Sequence, residues 1–276
     1  MARLGMGTII AALIWAAPGG AQEQPWRFHW QAGQILTYRV DHNTVVAEVV
    51  GDSRVETSSK LILLKRWTVT EVDAQGVATL KLSLAAMRHE QSRPNGDKLL
   101  FDSANPDKST PELREQMSKY VGQTLAVLRV DGQGKVAAVE QGSASKYETE
   151  PPFLLRLPAQ GAGTGKAWER NYEITLDPPL GTGEKHAAVQ RYDVVKVADG
   201  LATIRLATRL KAQPDNAADR LPLLQKQPEG ELVFNIAAGR LESATLRIDK
   251  QIDEHQGKGS SYHFTSTYRE QYVPSK

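Results

Sequence analysis

The chain has 276 residues, 40% of them hydrophobic and 24% charged, and no cysteine. Lys and Arg number 34 against 32 Asp and Glu, a net charge of +2; this balanced, interspersed set gives no electrostatic case for a nucleic-acid binder, and no polybasic cluster suggests a membrane surface. Without cysteine there is neither disulfide nor thiol chemistry, so packed side chains or extended sheets must hold the fold.

The N-terminus reads as a leader. Arg3 precedes an apolar run, MGTIIAALIWAA, at residues 6–17, which Pro18 and Gly19 interrupt. Gly19 and Ala21 then place small residues at the −3 and −1 positions of a cleavage site, predicting a signal peptide over residues 1–21, cleaved after Ala21. The run is shorter than the roughly 20 residues of a spanning helix, and no second long apolar run follows. The mature chain is therefore expected to be periplasmic or extracellular, with no integral membrane segment.

Trp26, Phe28 and Trp30 alternate, predicting an extended segment packed on an apolar surface. A first β repeat is read over residues 22–158. It opens with a strand at 35–50, where Leu36, Tyr38 and Val40 share a face, followed by strands at 60–72 and 77–87 around an Asp-Ala-Gln-Gly turn. Residues 89–107 read as a polar loop or short strand pair around Leu99, Leu100 and Phe101. Ser109-Thr110-Pro111-Glu112 then predicts a helix start with a hydroxyl N-cap, running to about Tyr120. A hairpin follows at 123–130 and 135–139. The proline-rich segment 141–163, broken by the apolar patch Phe153, Leu154 and Leu155, is the boundary between repeats.

The second repeat, residues 159–276, restates the plan. Trp168, Tyr172 and Ile174 mark its opening strand, a hairpin spans 186–197 and 201–210, and residues 213–227 hold the helix position, interrupted by Pro222. A late hairpin covers 231–236 and 240–249. The last strand, 261–273, carries Tyr262, Phe264, Tyr268 and Tyr272 at even spacing. The duplication is clearest where RWTVTEVDAQGVATLKL from Arg66 meets RYDVVKVADGLATIRL from Arg191. One single-residue gap pairs Val69 with Val194, Gly76 with Gly200 and Leu82 with Leu206, and sets Trp67 against Tyr192. The expected fold is mainly β with minor α: two tandem antiparallel β repeats forming one curved sheet or half-barrel, with one or two short helices on its concave side.

Catalytic patterns are few. The run Gly161-Ala162-Gly163-Thr164-Gly165-Lys166 lacks the first glycine of a phosphate loop and is followed by Ala167 where a Ser or Thr would hold magnesium. Ser143-Ala144-Ser145-Lys146 fits a Ser-x-x-Lys pattern without either companion motif. The six histidines, including His42, His186 and His263, have no helical metal-ligand spacing and are expected on solvent-facing strand positions. No catalytic set, cofactor site or metal site is assigned. Five aromatics are instead candidates to line a shared apolar cavity if the repeats face one another: Trp67, Tyr192, Trp168, Tyr172 and Tyr38.

These marks, a leader followed by "G…Y-x-V" strands, "V-x-x-V-x-x-x-G-x-A" hairpins and Val121-Gly122 running through Val127, Val130, Asp131, Gly134 and Val136, resemble uncharacterised exported bacterial β-rich families. The plan is more loosely similar to the periplasmic half-barrel lipoprotein carriers, whose curved sheet and short helices enclose an apolar cavity. The resemblance implies a β-rich envelope protein and no particular activity. The expected function is a non-catalytic binding protein holding an apolar ligand or lipid. The alternatives are a protein-interaction module of the envelope, with an envelope protein as partner, and a hydrolase whose site is assembled only in the fold.

Overall fold

The computed structural model describes residues 25–142, 147–178 and 180–274; the leader reading and the Ser-x-x-Lys pattern at 143–146 lie outside them. Twelve strands form one open, curved antiparallel sheet. The strands of the first half are β1 (Ile35–Val50), β2 (Ser53–Val72), β3 (Ala78–Ser92), β4 (Lys98–Asp102), β5 (Thr124–Val130) and β6 (Val136–Gln141). The second half supplies β7 (Ala167–Leu176), β8 (Glu184–Ala198), β9 (Leu201–Leu210), β10 (Glu229–Asn235), β11 (Arg240–Asp253) and β12 (Ser261–Val273). The order is β6-β5-β3-β2-β1-β12-β11-β10-β9-β8-β7, with β4 beside the far end of β3. The repeats thus join through β1 and β12 at the centre of the sheet, from Thr37 opposite Val273 to Val49 opposite Ser261.

The duplication is geometric as well as textual. Trp67 faces Leu36 on β1 and Leu82 on β3, while Tyr192 faces Trp168 on β7 and Leu206 on β9. Each hairpin shifts register just after its shared valine, between Val69 and Glu71 and between Val194 and Lys196. Each opening turn is pinned alike: Gly33 donates to the Val69 carbonyl and Gly165 to the Val194 carbonyl, at 2.8 and 2.9 Å. Such a bulge bends and twists the strand that carries it, so a repeated bulge repeats the bend.

Period-two alternation puts one face of the sheet against the interior. Leu36, Tyr38 and Val40 on β1 are buried, as are Leu80, Leu82 and Leu84 on β3. Two short helices lie on this face, α1 (Pro111–Met117) and α2 (Ala217–Leu224). Leu113 of α1 packs with Leu84, Met87, Leu99 and Phe101. Leu223 of α2 packs with Ile174, Leu176 and Ala188, and Leu224 with Ile248, Ile252 and Phe264.

Of the two readings of residues 89–107, the short strand pair around Leu99, Leu100 and Phe101 is the one that forms: β3 continues to Ser92 and pairs with β4 from Arg88 opposite Asp102 to Ser92 opposite Lys98. Two expectations about the helices are corrected. The Thr110 hydroxyl does not cap α1; it accepts from the Leu100 amide at 3.0 Å and fastens the helix start to β4. The second helix occupies only eight of the residues read for it, with Pro222 inside, where the missing N–H weakens the helix.

The boundary segment between the repeats is buried. It joins β6 and β7, which are consecutive in sequence and form the two outer edges of the sheet. It crosses the apolar face between them, and Phe153, Leu154, Leu155 and Leu157 are at most 1% exposed. Its proline-rich composition reflects irregular backbone rather than exposure. The N-terminal stripe completes the cover without joining the sheet. The Phe28 amide donates to the Gly132 carbonyl at 2.7 Å and the His29 amide to the Gly239 carbonyl at 2.9 Å, so the segment ties together the late turns of both repeats. The Phe28 ring stacks on Trp30 at 5.2 Å and meets Phe234 edge-on at 5.2 Å. At Gly239, φ is +58° and an added Cβ would fall 2.6 Å from the His29 amide nitrogen, so only glycine admits this crossing.

Replacing Phe28 with Ala removes a ring from the junction of both repeats and is expected to cost about 3–5 kcal/mol, read from urea unfolding midpoints.

Candidate functional site

The crossing segment fills one part of the concave face and leaves a cavity of about 350 Å³ over β1, β2, β11 and β12. One wall is apolar, built by Val40, Leu61, Leu63, Leu246, Ile248 and Phe264. All project inward because they occupy alternate positions of their strands. The remaining wall is polar and combines His42, Lys65, Ser266 and Tyr268 of the sheet with Glu150 of the crossing segment and Lys226 beyond α2.

The polar wall rests on a buried ion pair. Lys65 Nζ donates to Glu270 Oε2 at 2.8 Å and to the Pro151 carbonyl at 2.8 Å. The Tyr268 hydroxyl donates to the same carboxylate oxygen. Lys65 and Glu270 are 5% and 1% exposed, so the pair meets the full cost of desolvation, and removing one partner would strand the other. Burial raises the Glu270 carboxyl above its ordinary value, with Lys65 and Tyr268 acting in the opposite direction. Glu270 Oε1 is buried without a hydrogen-bond partner. The same burial, reinforced by the Glu270 charge, raises the Tyr268 phenol well above its ordinary value and keeps it a donor.

Beside this pair, His42 Nε2 lies 2.9 Å from Ser266 Oγ and 3.4 Å from Thr44 Oγ1. His42 was expected to face solvent. It instead projects inward with Val40 and is half-buried, and burial lowers its pKa below the ordinary value, so the ring is uncharged at neutral pH. His186 lines a second, more open recess beside α2, and His263 faces out and meets Asp249 at 2.7 Å. Among the described residues no group of three or more His, Asp or Glu could hold a metal ion. The run 161–166 leads directly into β7, so no helix N-terminus follows it.

The five aromatic candidates are brought to one face but not to one cavity. Tyr172 lines the cavity, with the Arg170 guanidinium 4.8 Å from its ring centroid. The other four belong to, or pack against, the main core. Trp67 meets Phe153 and Tyr147 edge-on at 5.1 and 6.2 Å. Tyr192 stacks on Trp168 at 5.2 Å, and its hydroxyl is shared between the Leu154 carbonyl at 2.6 Å and Gln190 Oε1 at 3.0 Å. Burial pushes that phenol up to about 12. Trp168 Nε1 donates to the Arg156 carbonyl at 2.6 Å, and the Tyr38 hydroxyl to the Leu241 carbonyl at 3.0 Å. Trp67 and Tyr192 therefore hold opposite sides of the crossing segment, which occupies the space between the repeats.

The polar residues of the wall were missed because they interrupt apolar stripes. Period two from Tyr262 to Tyr272 places Ser266 and Glu270 on the inner face, and period two from Leu61 to Val69 places Lys65 there. Parity along the strands was the available signal; pairing Lys65 with Glu270, 205 residues apart, needed the fold.

No family model matches the chain, and no curated protein matches it. Among solved structures it is similar to a chain from a lipovitellin structure concerned with lipid–protein interactions, with a TM-score of 0.49 and 9% identity over 88% of this chain. That match spans 25% of the lipovitellin chain, so this chain corresponds to a quarter of it. It is also similar to DynF from the dynemicin biosynthesis pathway of Micromonospora chersina, with a TM-score of 0.22 and 10% identity over 98% of this chain and 94% of that one. A chain of the Pseudomonas aeruginosa MucA/MucB complex gives a TM-score of 0.13 and 9% identity over 85% and 89%. At these scores the likenesses carry no argument about what this chain does. Among the described residues, no helix is long and apolar enough to cross a membrane.

Lys65→Met is expected to cost about 3–5 kcal/mol by stranding Glu270, and the double variant Lys65→Met/Glu270→Leu to recover most of that loss, both read from denaturant midpoints. The raised Glu270 carboxyl favours its protonated form in the fold. Its stabilising contribution is complete below the ordinary value of 4.5 and is lost as pH rises through the folded value. Across that window the wild type should lose stability relative to Glu270→Gln, as followed by urea unfolding at a series of pH values.

Proposed function

We propose that the chain is a non-catalytic binding protein of the bacterial envelope that holds an apolar or amphiphilic small molecule in the cavity over β1, β2, β11 and β12. The observation that carries the reading is that cavity itself, about 350 Å³ left open between the crossing segment and the apolar face. Its size falls in the range of small-molecule sites, and so does its make-up of an apolar wall with a few convergent polar groups. Each methylene taken from water into such a wall contributes about 0.8 kcal/mol. Support for export comes from the basic, apolar and small-residue pattern of residues 3–21.

A second reading, a hydrolase, is favoured by the 2.9 Å contact of His42 Nε2 with Ser266 Oγ inside the cavity. An uncharged imidazole beside a hydroxyl can accept its proton. Two features oppose it. β12 is paired on both sides, so its amides are taken up by the ladders and offer no pair of donors to an oxyanion. Among the described residues, no carboxylate hydrogen-bonds the other imidazole nitrogen.

A fluorescent alkyl-chain probe should bind the wild type saturably, and Leu63→Trp, which fills the apolar wall, should weaken binding about tenfold or more, near 1.4 kcal/mol. Absence of saturable binding by the wild type would contradict the cavity reading. Hydrolysis of an activated aryl ester should be no faster with the wild type than with Ser266→Ala; a rate that disappears in the variant would move the protein to the second reading.

A further inference from the structure

The concave face holds two recesses, and the same strands run through both. The cavity of about 350 Å³ is lined on β12 by Phe264, Ser266 and Tyr268 and on β7 by Tyr172. The more open recess beside α2, of about 610 Å³, is lined on β12 by Tyr262 and on β7 by Leu176. Tyr262 and Phe264 are alternate residues of one strand, as are Tyr172, Ile174 and Leu176 of another, so each set shares the inner face. Gln225, just past α2, borders both spaces.

What divides them is the last turn of α2. Leu223 packs with Ile174 and is 0% exposed. Leu224 packs in one cluster with Ile248 and Phe264, which line the cavity, and with Leu221 and Tyr262, which line the recess. This second seating is looser, because Leu224, Ile248 and Phe264 remain 7, 7 and 8% exposed. The turn itself is weakly held. Pro222 brings no N–H to the helix. The Lys226 and Gln227 amides donate to the Leu223 and Leu224 carbonyls at 3.1 and 3.4 Å, the second beyond the usual range. A helix of eight residues has little stability of its own. Beyond the turn, Leu180, Leu221 and Tyr262 are only half-buried around the recess, and a hydrocarbon laid against them would be stabilised in proportion to the area it covers.

We infer that the cavity and the recess are two compartments of one site, and that its ligand is an amphiphile with a long hydrocarbon tail running along the inner face of β12, from Phe264 beneath Leu224 to Tyr262 and into the recess. This assignment rests on the cavity-binding reading and adds the length of the ligand to it. Leu224 then sets which chains are admitted. A short chain ends in the cavity and leaves Leu224 against Phe264, whereas a long one displaces that side chain and covers the apolar surface beyond it.

The test is displacement of a fluorescent alkyl-chain probe from the full chain by straight-chain alcohols from octanol to hexadecanol, which differ in length alone, each below its solubility limit. Affinity should rise about fourfold per methylene across the series. Leu221→Trp, which fills the recess from α2, should leave octanol unchanged and weaken hexadecanol about tenfold or more. Leu180→Trp, on the turn joining β7 to β8, fills the same recess without altering α2 and should do the same. Hexadecanol affinity unchanged in these variants, or octanol weakened as much as hexadecanol, would overturn the inference while leaving the cavity as an alkyl-chain site. Failure of every alcohol to displace the probe would remove the cavity-binding reading and this inference with it.

Discussion

A sheet with one apolar face must have that face covered, and here the cover is the chain's own crossing between the two sheet edges. β6 and β7 are neighbours in sequence but lie at opposite ends of the strand order. The segment joining them therefore has to traverse the face, and it is apolar where it does so, at Phe153, Leu154, Leu155 and Leu157. The polar backbone of an irregular segment also needs partners when buried. Tyr192, Trp168 and Lys65 supply them by donating to the carbonyls of Leu154, Arg156 and Pro151. One of these donors is charged, and its counter-ion, Glu270, comes from the last strand. The ion pair thus links the crossing segment, β2 and β12 in one arrangement, and the cavity lies beside it.

The two repeats explain why such a crossing fits. Each carries a hairpin with a register shift after its shared valine and an opening turn bonded to that valine's carbonyl. Repeated bends on both sides of the central β1–β12 pair curve the sheet around the segment. Trp67 and Tyr192, aligned by the duplication, grip the segment from either side, Trp67 by ring packing against Phe153 and Tyr192 by a hydrogen bond to Leu154. The halves have diverged where the symmetric plan has only one object to hold.

Much of this architecture was legible in the sequence. Alternation placed the strands and their inner faces, glycine-containing turns placed the hairpins, and the duplicated hairpin implied equivalent geometry in both halves. The crossing segment was not legible as core. Pro151, Pro152 and Pro158 signal irregular backbone, and irregular backbone is ordinarily at the surface; only the strand order shows that this segment has to cross the interior. The site was half legible. Its apolar wall follows from strand parity. Ser266, Glu270, Lys65 and His42 obey the same parity, but a polar residue on an apolar stripe is readable as functional only when its distant partner is known.

The crossing segment is packed as core rather than as a surface connection. The Leu154, Leu155 and Leu157 amides donate to the Glu150, Pro152 and Gln133 carbonyls at 2.8, 3.2 and 3.0 Å. Native-state hydrogen exchange measures their opening directly. These three amides are expected to exchange only through global unfolding, with the same free energy and denaturant dependence as the amides of β8 and β9. Exchange at the rates of an exposed loop, with β8 and β9 still protected, would contradict that expectation.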